Sequence, residues 1–164
     1  MKELIFLKAT DSRRMEAAEE YGVLRYAQAI KAVNPASPAA WEEFAGGHLV
    51  FVAKDSPVGH AHGLGFAAKL TPEDIAHVED FYFQRDAAAQ IDVSPSANPF
   101  LFQALNQRGF QVAEFNQALA RRIDPAEKFH AQLDGIEIRS IGSEEARTWS
   151  ALLAVIFFRE QAAQ

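Results

Sequence analysis

Apolar and small residues recur at three- and four-residue spacings over residues 15–33, where Met15, Ala18, Gly22, Tyr26, Ala29 and Val33 fall on one side. That stripe predicts an amphipathic helix. Asn34-Pro35 ends it, because a residue before proline avoids the helical region. "PASPAAWEEFAGG" reads as a connection with a short turn over 39–44. After Gly46-Gly47, "HLVFVA" is a continuous β-branched and aromatic run, the pattern of a strand covered on both faces. "KDSPVG" has turn chemistry. "HAHGLGF" is the next predicted strand, its glycines tolerating close backbone approach.

The following helix carries strong start signals. Thr71 suits the N-cap, Pro72 the first helical position, and Glu73 and Asp74 the positive helix end. Ile75, Val78 and Tyr82 form its expected buried stripe, with Phe81 and Phe83 alongside. "AQIDV" is a predicted short strand, and Asn98-Pro99 opens another helix with the same device. Leu101, Ala104 and Leu105 are expected to point inward, and Gly109 to supply a left-handed stop. "FQVAEFNQALARRI" reads as returning extended chain, "DPAEKFHAQLDG" as a polar connection and "IEIRS" as a further strand. Ser143 caps a last helix with Trp149, Leu152, Leu153, Ile156 and Phe157 on its apolar side. The order predicts an α/β (α+β) chain with a central mixed sheet.

Composition narrows the classes of function. The chain has 164 residues, enough for one substantial core, and a formal net charge of −6. A nucleic-acid binder would present a basic stripe to phosphates, whereas Arg13-Arg14 and Arg121-Arg122 are doublets expected on solvated surface. The sequence contains no cysteine, so thiolate chemistry and cysteine metal sites are excluded. The apolar run in "MKELIFLKAT" is interrupted at Lys8 and is too short for a signal peptide. No run approaches the roughly 20 residues of a membrane span. The expectation is a cytoplasmic protein that binds neither membrane nor nucleic acid.

Candidate chemistry is sparse. His60 and His62 alternate on one predicted strand and share a face, but no carboxylate or further histidine lies at a convincing sequence spacing, so no metal site is expected. Glu19-Glu20 and Glu42-Glu43 are expected on solvated surface. Phe81, Tyr82 and Phe83 are expected in core or interface packing, and Asn98 as an N-cap rather than a catalytic amide.

Residues 46–123 resemble the second half of a GNAT-family N-acetyltransferase. "HAHGLGF" stands where the family has its central strand, and "LTPEDIAHVEDFYFQR" where it has its cofactor-facing helix. "QIDVSPSANPFLFQALNQRGF" matches a family pattern of strand, asparagine-started helix and Gly-Phe ending. Asn98, Ala104, Gly109 and Phe110 fall on it, and Val93 stands one residue further from Asn98 than usual. "GIEIRSIGSEEARTWSALLAVIFF" resembles the first strand and helix of another GNAT domain. The resemblance therefore implies a tandem protein: residues 1–125 a degenerate N-terminal domain, and residues 135–164 the start of a second domain. It implies the acyl-CoA N-acyltransferase fold, with a mostly antiparallel central sheet flanked by helices.

Family members hold the pyrophosphate of acetyl-CoA on a Gln/Arg-x-x-Gly-x-Gly/Ala loop at a helix N-terminus. The corresponding residues Lys69, Leu70, Thr71, Pro72, Glu73 and Asp74 contain no glycine. Pro72 has no N–H to donate, and two carboxylates stand where phosphates would sit. The family tyrosine that protonates the leaving thiolate is replaced by Leu105, which cannot donate a proton. The expectation is a segment without catalytic or cofactor-binding residues, with acetyl-CoA bound by the C-terminal GNAT domain of the same protein. Its remaining role would be to shape an acceptor cleft, with His60, His62, Gly63, Gly65, Phe66 and Asn98 as candidate lining. Two alternatives stand beside it. One is a stand-alone binding or assembly module that dimerises through its last helix; the other is an acyltransferase with an unorthodox CoA site.

Overall fold

The computed structural model describes residues 8–67, 69–118, 124, 126 and 135–157. It is a mixed α+β chain that divides into two compact units, Met1–Leu119 and Ala120–Gln164.

The first unit opens with α1 (Ala9–Val33), which starts earlier than the apolar stripe predicts. Asp11 accepts a hydrogen bond from the Lys8 backbone at 3.1 Å, favouring this earlier start. The helix also buries a different face from the one expected. Tyr26 and Val33 are exposed, and Glu20, Val23, Ala27 and Ile30 turn inward. A buried glutamate displaces the inward stripe by part of a turn from the all-apolar one.

Residues 40–44, expected as connection, form β1 (Ala40–Phe44), which pairs antiparallel with β2 (Gly47–Phe51). The turn between them places Ala45 at φ 51° and Gly46 at φ 81°. Two positive φ values in a two-residue loop match the right-handed twist of a hairpin. β2 then pairs antiparallel with β3 (Ala61–His62), in the order β1-β2-β3. Gly63, at φ 73°, ends β3 early, so "HAHGLGF" is strand only at its start. The predicted strand "AQIDV" contributes one parallel bridge, Ala61 to Ile91. Ala61 N–H donates to Gln90 O, and Asp92 N–H donates to Ala61 O, each at 2.9 Å.

Between the two sides of that bridge lies α2 (Pro72–Phe83), followed by α3 (Pro99–Gln107). Ile75, Val78, Phe81 and Tyr82 are buried as expected, whereas Phe83 is exposed. Leu101, Ala104 and Leu105 face the core. Asn98 caps α3 through its side chain, which accepts from Phe100 N–H at 3.1 Å. At the other end Gly109 N–H bonds Asn106 O at 3.1 Å and Phe110 N–H bonds Leu105 O at 3.0 Å. With Gly109 at φ 81°, this is a Schellman stop, so the Gly-Phe pair has a folding role.

β2 separates two layers. Leu49 and Phe51 join Ala61, Ile75, Val78, Tyr82 and Leu101 in the main core under α2 and α3. Val50 and Val52 pack with Ala27, Val23 and Ile30 of α1 on the opposite face. The expectation that "HLVFVA" is covered on both sides is met. Residues 111–118 carry no regular structure and are exposed; residues 119–123 of that predicted extended run lie outside the described residues.

In the second unit, residues 136–140 form no strand, contrary to the sequence expectation, and are exposed. A single 3-10 turn, Ser143–Glu145, leads into α4 (Ala146–Phe157). Trp149, Leu152, Val155 and Ile156 on α4 are exposed. Among the described residues, no helix is long and apolar enough to cross a membrane.

Candidate functional site

The alternation that puts Leu49, Phe51 and Ala61 in the main core puts the even-numbered neighbours under α1. His48 is the register partner of His62, so both side chains share that face. His60 lies two residues before His62 and shares it too, the two rings stacking at 6.1 Å and 16°. The parallel bridge at Ile91 brings Asp92 onto the same side. Sequence spacing gives no hint of this, because Asp92 reaches the histidines across α2 and its loops.

The resulting polar cluster has two parts. In the first, Glu20 of α1 is buried against His48, Oε1 to Nδ1 2.6 Å, and lies 3.8 Å from Arg13. Arg13 also donates to Gly46 O at 2.9 Å and Gly63 O at 3.3 Å. A Cβ on Gly63 would stand 2.6 Å from Glu20 Oε2, so a side chain here would push the carboxylate aside. The expectation that Glu20 is solvated surface is therefore overturned. Its neighbour Glu19 is exposed, as expected.

In the second part, Asp92 lies 3.4 Å from His60 Nδ1 and 3.2 Å from His62 Nδ1. His62 is buried, and neither ring nitrogen makes a hydrogen bond. Its contact with Asp92 is close enough for an ion pair but lacks hydrogen-bond alignment. Burial holds the His62 imidazole below its usual pKa, against the opposing charge of Asp92. Asp92 is pushed up by its own burial, but the His60 hydrogen bond and the histidine charges outweigh this and leave it lowered. Glu16, on the facing side of α1, is raised by burial first and then by the charges of Glu19 and Asp92.

The strand–helix junction is arranged differently. Thr71 N–H and Thr71 Oγ1 both donate to Asp74 Oδ2, at 2.8 and 3.0 Å, and Asp74 N–H donates back to Thr71 Oγ1 at 3.3 Å. This reciprocal box satisfies two N–H groups at the helix start, those of Thr71 and Asp74, with the chain's own side chains. Pro72 and Glu73 occupy the rest of the first turn, Leu70 is buried in the core, and Lys69 stacks on Phe100 at 3.8 Å.

The six candidate cleft residues are not brought to one surface. His60 and His62 join Asp92 under α1. Gly63 meets Arg13 and Glu20, and Gly65 is buried against Leu101 and Ala97 of the opposite layer. Asn98 caps α3 and its N–H donates to Gly65 O at 2.8 Å. Phe66 stacks with Arg13 at 5.1 Å and borders an open depression with Ala9, Thr10 and Arg14. Of the other acidic pair, Glu42 bonds His77 at 2.7 Å and Glu43 is exposed. Asp92, His48 and Arg13 were not among the sequence candidates. Asp92 is placed beside the histidines by the Ala61–Ile91 register, which the sequence does not spell out.

Compared with protein-family models, curated proteins and solved structures, the chain has no match.

Proposed function

We propose that the first unit is a non-catalytic domain of GNAT-like order in an N-acetyltransferase. A second GNAT domain, whose start residues 135–164 resemble, would bind acetyl-CoA and transfer its acetyl group to an amine. The single observation that carries this is the closed helix start at Thr71–Asp74. The junction has the strand–helix order of the family's phosphate site, yet the Thr71 and Asp74 N–H groups are taken by the chain's own side chains, and Glu73 adds a further negative charge. An anionic pyrophosphate would be repelled there. The parallel bridge across α2 also agrees with the family order of strand, helix, strand. The proposal includes a cytoplasmic setting and a supporting role beside the catalytic domain.

Calorimetric titration with acetyl-CoA tests the reading. No binding is expected, and stoichiometric micromolar binding would overturn it. Turnover with a panel of amines is likewise expected to be nil.

The exposed apolar residues of α4 favour a second reading, an assembly module. Trp149, Leu152, Val155 and Ile156 are 50–68% exposed, more than a solvated helix usually leaves uncovered. Light scattering separates the two: a concentration-independent monomer argues against assembly through α4.

A further inference from the structure

His60, His62 and Asp92 each offer one ligand atom, and the three atoms lie within 4.8 Å of one another. Asp92 Oδ2 lies 3.4 Å from His60 Nδ1 and 3.2 Å from His62 Nδ1. Donors that share a tetrahedral zinc at about 2.0–2.1 Å lie roughly 3.3 Å apart, so these two edges already have the right length. The residues are set by backbone pairing rather than by free loops. β3 aims both imidazoles to one side, and the Ala61–Ile91 bridge fixes Asp92 beside them.

An independent observation points to a ligand. The His62 side chain is 6% exposed, and its two ring nitrogens have no hydrogen-bond partner. Buried polar atoms in folded proteins are nearly always satisfied, and leaving one unmet is costly. His62 Nδ1 stands near Asp92 without the alignment of a hydrogen bond. That is the relation of two ligands directed at a third body between them.

We propose that His60, His62 and Asp92 bind a divalent transition-metal ion of the zinc class through two imidazole nitrogens and one carboxylate oxygen. The Asp92 side chain is 41% exposed against 18% for His60 and 6% for His62, so the ion enters from the Asp92 side and keeps its remaining position open to water there. Three protein ligands and an open position are the pattern of reactive rather than purely structural zinc sites. Two imidazoles with a carboxylate suit zinc, cobalt or iron better than calcium or magnesium, which prefer all-oxygen shells. Glu16 and Glu20 on the covering helix add negative charge nearby, opposed by Arg13. None of its ligands belongs to the Thr71–Asp74 junction that carries the acyltransferase reading, so acetyl-CoA binding and metal binding are tested separately.

The test uses the untagged full chain, freed of metal by chelator dialysis. It is titrated with Zn2+ by calorimetry and with Co2+ by visible absorption. One equivalent is expected at micromolar or tighter affinity, with the strong visible bands of four-coordinate cobalt. His60→Ala and Asp92→Ala are each expected to weaken zinc binding by at least about tenfold, by analogy with the effect of lesser shell changes. His77→Ala, which alters an exposed histidine paired with Glu42, should bind as the unaltered chain does. No uptake by the unaltered chain, or an affinity in both ligand variants equal to that of the unaltered chain, overturns the proposal. Should a variant fail to fold, X-ray absorption of the zinc-loaded unaltered chain decides. Two imidazoles and a carboxylate uphold the site, and fewer than two imidazoles overturn it.

Discussion

The two faces of β2 are built on different terms. Towards α2 and α3, Leu49 and Phe51 enter a cluster of buried apolar side chains, and Tyr82 places its hydroxyl on Val50 O at 3.2 Å. Towards α1, Val50 and Val52 meet Ala27, but two residues before Val50, on the same face, His48 bonds Glu20 and stands opposite His62. The first face gains stability from area removed from water. The second gives up part of that gain to hold histidines and carboxylates. Fold and chemistry are thus divided across one strand only five residues long.

The largest effect is expected on the apolar face. Leu49→Ala should cost about 2–5 kcal/mol by thermal or denaturant unfolding, since Leu49 is fully buried and its neighbours cannot all close in. A loss well under 1 kcal/mol would mean that this face does not carry the fold.

On the polar face, Glu20→Ala should cost roughly 1–3 kcal/mol, because it removes the partner of the His48 hydrogen bond and the carboxylate that stands 3.8 Å from Arg13. His48 is partly exposed and can turn to water, which places the effect towards the low end. The same substitution should leave the α2–α3 core intact, as hydrogen exchange at Ile75 and Val78 would report.

Thr71→Ala provides a scale from a position on neither face. Losing an N-cap of this kind costs about 1 kcal/mol. Acetyl-CoA binding that appeared in this variant would indicate a phosphate site masked by the cap rather than one built closed.

The smallest effect is pH-linked. Glu16 has a folded pKa raised above its ordinary value, so the folded state holds that proton more tightly than the unfolded state does. At pH values below the ordinary carboxylate range both states are protonated and Glu16 costs nothing. As pH rises through the interval up to the raised value, the unfolded state ionises first and stability falls. Glu16→Gln should therefore stabilise the chain at pH 7 by a few tenths of a kcal/mol, on the order of a surface substitution. The gain should vanish in unfolding curves taken near pH 3, where both forms are neutral.

Much of the fold was legible because it rests on local chemistry. Thr71-Pro72, Asn98-Pro99 and Gly109-Phe110 state where helices begin and end, and the structure uses each of them. "HLVFVA" states double-sided burial by having no polar alternation. The failures were tertiary. β1 exists because the Ala45-Gly46 turn folds it onto β2, although Trp41-Glu42-Glu43 is no strand pattern. The inward face of α1 was misread because Glu20 is buried by its partners, which lie on other elements. Asp92 is hidden for the same reason: its relation to His60 and His62 is set by a parallel register across α2, and no short spacing encodes that.

The central claim is that the polar half of the α1 face is kept for binding at some expense of stability. His62→Leu tests it most directly, by replacing a buried unpartnered imidazole with an apolar side chain of similar size. Metal-free unfolding should show the variant as stable as the unaltered chain or more so, by about 1 kcal/mol, the order of an unmet buried polar group. A loss of about 2 kcal/mol or more would contradict the account and make His62 a structural residue.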